Sequence, residues 1–141
     1  MSSKNLFINL PSILFICLPL LLITGPFLSD LAISLISLIY IFYIFYTKDF
    51  RIFKNRWFQF LLIFWIYISL NSLFNNLNSD SVRISLTYFR FIFFIFAISF
   101  LLSIKKDNLR NFFFILLFCF VILIFDAFIQ FFFGQNLLGF K

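Results

Sequence analysis

The sequence predicts an all-α, polytopic transmembrane bundle of five spans, and three observations carry that prediction. The chain is 64% hydrophobic, with 28 Phe among its 141 residues. Its five acids are all Asp, His is absent, and mean hydropathy is +1.12. The apolar residues fall into five continuous runs separated by short charged or polar links. A soluble domain of this size has no interior that could hide so much apolar surface, so the bilayer is its solvent.

The runs are residues 6–23, 31–47, 57–74, 84–104 and 112–133. Each matches the ~20 residues that a helix needs to cross a ~30 Å hydrocarbon core. They are continuous rather than alternating, which excludes membrane strands. Only helices satisfy every backbone group inside such segments. No internal repeat or soluble domain interrupts residues 1–141, which read as one incomplete helical region.

Span one follows Lys4 and contains Pro11 and Pro19, which are expected to bend it. It reads as an uncleaved helix, because no small-x-small cleavage site follows the apolar stretch. Gly25-Pro26 ends it, and Ser29 or Asp30 is expected to cap span two, giving a tight antiparallel hairpin. Spans two and three are joined by a basic link with Lys48, Arg51, Lys54 and Arg56, flanked by Tyr43, Tyr46 and Trp57 as interfacial aromatics. Asn75–Asp80 forms a short polar link, with Ser79, Asp80 or Ser81 as the cap of span four. Lys105–Arg110 is a tight turn into span five.

Basic residues set the orientation. Eight lie on one side of the bundle, Arg83 and Lys141 on the other, and Arg90 inside span four. The positive-inside rule places the N-terminus in the cytoplasm and the C-terminus in the periplasm. The net charge of +6 is thus topological. Nucleic acid is excluded as a partner, since that role needs a soluble basic face.

Two charges fall inside the spans, Arg90 and Asp126. Counting from the outer boundary places them ~9 and ~10 Å deep. Consecutive antiparallel helices are expected to be neighbours, so the two charges are expected to pair. Arg83, Thr87 and Arg90 are spaced i, i+4, i+7, and Asp126 and Gln130 lie one turn apart. Together they predict a polar seam between spans four and five, with Asn136 in the turn beyond it. One role for the pair is a lock between helices. Another is an outer mouth where Arg83 and Arg90 attract a lipid-linked phosphate. A proton relay finds no further acid or His inside the spans to continue it. Cys17 and Cys119 lie in separate apolar spans and act as small core residues. No metal is expected, since neither His nor a cysteine cluster is present.

Ser85-Leu-Thr-Tyr-Phe-Arg90-Phe-Ile-Phe-Phe and Asp126-x-x-x-Gln130-x-x-x-Gly134-x-Asn136-x-x-Gly139 resemble segments of the bacterial O-antigen ligase and O-antigen polymerase superfamily. The run Pro19–Asp30 is similar to first-hairpin segments there. The resemblance covers most of this chain but about the N-terminal third of a family member. It implies an inner-membrane glycosyltransferase that ligates or polymerises glycans carried on undecaprenyl diphosphate, in lipopolysaccharide or polysaccharide biosynthesis. No cofactor is implied. The family's periplasmic loop with functional Arg and His residues would follow residue 141, so the chain is expected to be a fragment that is inactive by itself. Its expected partners are membrane lipids, the lipid-linked glycan, and the missing C-terminal half or another membrane protein. The rival expectation is a small non-enzymatic subunit packed against a transporter or synthase.

Overall fold

A computed structural model describes residues 3–75 and 79–134, and its architecture is helical throughout that range apart from short connections. The helices are α1 (Ser3–Thr24), α2 (Pro26–Thr47), α3 (Arg56–Asn75), α4 (Ser79–Thr87), α5 (Phe89–Ile104) and α6 (Asp107–Phe133), with a 3-10 turn at Phe50–Lys54. Five stretches are long and apolar enough to cross a membrane: Phe7–Thr24, Pro26–Thr47, Arg56–Phe74, Asp80–Ile104 and Asp107–Phe133. The chain is a multi-pass membrane protein.

Local sequence explains the boundaries. Gly25 alone separates α1 from α2, at φ 135° and ψ 167°, a conformation open essentially to glycine. Pro26 then supplies the first helical residue, where its missing amide costs nothing. Helix α2 therefore starts earlier than expected, and Ser29 and Asp30 lie inside it rather than capping it. The Ser29 hydroxyl donates instead to the Pro26 carbonyl, at 2.9 Å. Helix α1 continues through both prolines. Lys48 closes α2 in the left-handed conformation, and Gly134 closes α6 likewise, its amide donating to the Gln130 carbonyl at 2.9 Å.

The fourth span is two helices, not one. Tyr88 separates α4 from α5, with Ser85 and Thr87 hydroxyls donating to the Val82 and Ile84 carbonyls at 2.9 and 2.7 Å. Such back-bonding competes with the helical ladder. Just across the break, the Trp65 indole donates to the Ser85 carbonyl at 3.0 Å. In an unbroken helix that carbonyl serves the amide of residue 89.

Packing does not follow sequence adjacency alone. Helices α1 and α2 form the expected hairpin, but α5 lies along α2 and α6 lies along α1, while α5 and α6 touch sparsely. Both of these further pairings are parallel. Contacts run from Arg90 with Asp30 to Phe100 with Tyr43, and from Asn108 with Ser12 up to Cys119 beside Pro19. Ala32, Ser37 and Ala97 are almost fully buried, and small residues of this kind let membrane helices approach closely. One core joins Ile44, Ile52, Phe58, Ile92 and Phe93, and a second joins Phe15, Ile36 and Ala97. Phe15 and Phe112 stack at 4.8 Å, fastening α6 to α1. The outward phenylalanines of α6 stay exposed, which lipid tolerates because its tails are as apolar as the side chains.

Candidate functional site

The end of the bundle where α2 and α5 begin holds the most connected polar cluster. Asp30, Ser34 and Ser37 repeat at i, i+4, i+7 and so share one stripe of α2. Arg90, on the first turn of α5, docks on that stripe. Its guanidinium donates to the Asp30 carboxylate through Nη2 and to the Ser34 hydroxyl through Nη1, the latter at 2.9 Å. The Ser37 hydroxyl lies 2.8 Å from the Ile33 carbonyl and 2.9 Å from the Arg90 carbonyl, sharing one hydrogen between them. Both the side chain and the backbone of Arg90 are thus held by α2.

Electrostatics favours this arrangement. Asp30 sits on the second turn of α2, past the first turn where the helix dipole acts most strongly. Arg90 sits at the N-terminal end of α5, where the same dipole disfavours a cation, and the carboxylate offsets that cost. The side chains of Arg90 and Asp30 are 31% and 48% exposed, so the pair is half-open rather than sealed. Arg90 Nε is buried and has no hydrogen-bond partner among the described residues.

The expected pairing of Arg90 with Asp126 is corrected: the ion pair is with Asp30. The physical reason is the parallel packing of α5 on α2, which takes the Arg90 side chain away from the α5–α6 boundary. Asp126 is half-buried on α6, and Gln130, one turn on, is exposed. Arg83 and Thr87 are exposed on α4, and the break at Tyr88 separates their helix from that of Arg90. Arg83 has no ion-pair partner among the described residues. Asn136 lies outside the described residues. The expected seam is therefore divided: Arg90 joins α2, while Arg83 and Thr87 stay on the open face of α4.

Beside Arg90 runs an apolar groove of about 400 Å³ between α3 and α5. Leu61, Trp65 and Ile68 form one wall, and Phe91, Ile92 and Ile95 the other, with Tyr88 at the helix break. Arg90 Cζ stands 5.1 Å from the centre of the Phe91 ring, a cation–π distance. Arg90 is not itself in the groove's lining and meets it only through the Phe91 ring, while its guanidinium is held on α2.

Asp30 was missed as a partner although its signal was present. The i, i+4, i+7 spacing applied to Arg83, Thr87 and Arg90 occurs equally in Asp30, Ser34 and Ser37. No family model, curated protein or solved structure matches the chain.

Proposed function

We propose that this chain serves in the handling of polyprenyl-diphosphate-linked glycans at a bacterial inner membrane, as the lipid-holding part of a ligase or polymerase. The observation that carries the reading is an apolar groove between α3 and α5 whose lining residue Phe91 also carries the Arg90 guanidinium at a cation–π distance. A polyprenyl diphosphate has the matching parts: a long apolar chain for the groove and an anion for the cation on that ring. Asp30 and Ser34 fix the fork of Arg90, and Arg83, exposed on α4, supplies a second cation near the same end. The charge distribution supports a periplasmic position for this end, since the basic links lie at the opposite one. The resemblance of Ser85–Phe94 to the O-antigen ligase and polymerase superfamily points the same way.

The test is retention of farnesyl or undecaprenyl diphosphate by the purified chain in detergent, with the corresponding alcohol as control. The diphosphate is expected to bind at least ~10-fold more tightly than the alcohol, and Arg83→Ala to lose about that factor, the worth of one charge-assisted contact. Equal binding of diphosphate and alcohol refutes the anion site. An unchanged Arg83→Ala removes Arg83 from it.

A further inference from the structure

The opposite end of the bundle carries a second concave site, built differently. A cleft of about 370 Å³ opens between α2, α5 and the linker that joins α2 to α3. Its polar lining residues include Tyr40, Tyr43, Arg51, Asn55, Ser99 and Ser103. Its apolar lining includes Phe96 and Phe100 of α5. Asp49 is the acid in the lining, and Arg51 clasps it through Nε at 2.8 Å and Nη2 at 2.7 Å. That fork matches the acid's charge locally and leaves Nη1 of Arg51 outside it.

The surroundings decide the sign of the ligand. Residues 48–56 hold four cations, Lys48, Arg51, Lys54 and Arg56, against the one acid Asp49. Lys48, Lys54 and Arg56 make no ion pair among the described residues. An anion gains from this field, whereas a zwitterion brings its own cation into it. The same linker exposes Phe50, Phe53 and Trp57. Large aromatics at the end of membrane spans sit where headgroups meet hydrocarbon. The occupant must therefore be amphipathic: anionic where it meets Arg51, Asn55 and the tyrosine hydroxyls, apolar where it meets Phe96 and Phe100.

We propose that this cleft is a binding site for the phosphate headgroup of an anionic membrane phospholipid. The phosphate sits against Arg51 Nη1, Asn55 and the hydroxyls, and the first acyl carbons lie on Phe96 and Phe100. The site is independent of the groove beside Arg90, so each can fail without the other.

The experiment reconstitutes the chain in nanodiscs of mixed phosphatidylglycerol and phosphatidylcholine, extracts it into detergent, and counts retained lipids by native mass spectrometry. Phosphatidylglycerol is expected to be enriched over phosphatidylcholine. Asp49→Asn/Arg51→Gln, which removes both charges together, and Tyr43→Phe/Ser99→Ala are each expected to cut the enrichment by about fivefold, the net worth of one lost hydrogen bond to the headgroup. Lys106→Gln removes a cation at the same end but outside the cleft, and is expected to leave the enrichment unchanged. Circular dichroism confirms that each variant keeps its helices; a cleft variant that loses them is replaced by Asn55→Ala, for which the same drop is expected. Absence of headgroup preference, or an equal loss in Lys106→Gln and the cleft variants, overturns the proposal. So does displacement of phosphatidylglycerol by inorganic phosphate alone, which would assign the cleft to a soluble anion.

Discussion

The two ends of the bundle each display an Arg–Asp pair, and the pairs do opposite work. At one end Asp30 and Arg90 lie 60 positions apart and belong to different helices, so their bond fixes how α5 sits on α2. At the other, Asp49 and Arg51 lie two positions apart, and their bond closes a turn that the chain already makes. The first pair is half-buried and reinforced by Ser34 and Ser37; in the second, the arginine side chain is 88% exposed. A salt bridge therefore informs on tertiary structure only when the chain between its partners is long.

The sharpest way to break that contrast is a double-mutant cycle at the Arg90 end. Asp30→Ala is expected to destabilise the chain by about 1–3 kcal/mol, because it strands a partly buried guanidinium. The cycle with Arg90→Ala should show coupling well above 0.5 kcal/mol, as contacting residues do. The parallel cycle of Arg90→Ala with Asp126→Ala should be additive. Unfolding in mixed micelles measures both, and coupling to Asp126 instead of Asp30 would overturn the α2–α5 docking.

A smaller effect is expected from Ser37→Ala, which removes the hydroxyl held between the Ile33 and Arg90 carbonyls. The loss should be about 1 kcal/mol, the net value of one hydrogen bond. No loss would mean that small size, and not the hydroxyl, is what the α2–α5 contact requires at position 37.

The smallest effect belongs to Asp49→Asn. Hydrogen bonds from Arg51 lower the Asp49 pKa from 3.8 to about 2. A depressed carboxylate pKa contributes stability above the unfolded value, and that contribution is lost as pH falls through the folded one. The variant should therefore match wild type closely from pH 5 to 8, as exposed pairs are worth little. Any wild-type advantage should vanish between pH 4 and about 2. A pH-independent difference would mean that the turn depends on the Asp49 side chain for something other than its charge.

These contrasts also show what the sequence could and could not carry. The spans were legible because hydrocarbon demands unbroken apolar helices, and the Gly25-Pro26 and Gly134 boundaries because glycine and proline have narrow conformational roles. The neighbours of each span were not legible in the same way. Between membrane helices no hydrophobic drive selects a partner, so docking is set by small residues and a few polar groups. Ala32, Ser37 and Ala97 marked the α2–α5 contact, but a lone Ala or Ser in an apolar run is common enough to pass unnoticed. Arg90 stands out in the sequence as a cation inside an apolar run, whereas Asp30, beside the Gly25-Pro26 turn, reads with Ser29 as a candidate helix cap. The break at Tyr88 had a trace in Ser85 and Thr87, yet either residue is tolerated in an unbroken span.

Gly25 gives the hairpin almost no slack. One residue links α1 to α2, and the two virtual bonds from Thr24 to Pro26 span at most about 7 Å. An axial slide of α1 larger than that must be transmitted to α2. Asp30 lies only four residues past Pro26, so a pull on the first helix reaches the clasp on Arg90 after little more than one turn. The hairpin is in this sense a short lever, with α1 as its handle and the guanidinium at its working end.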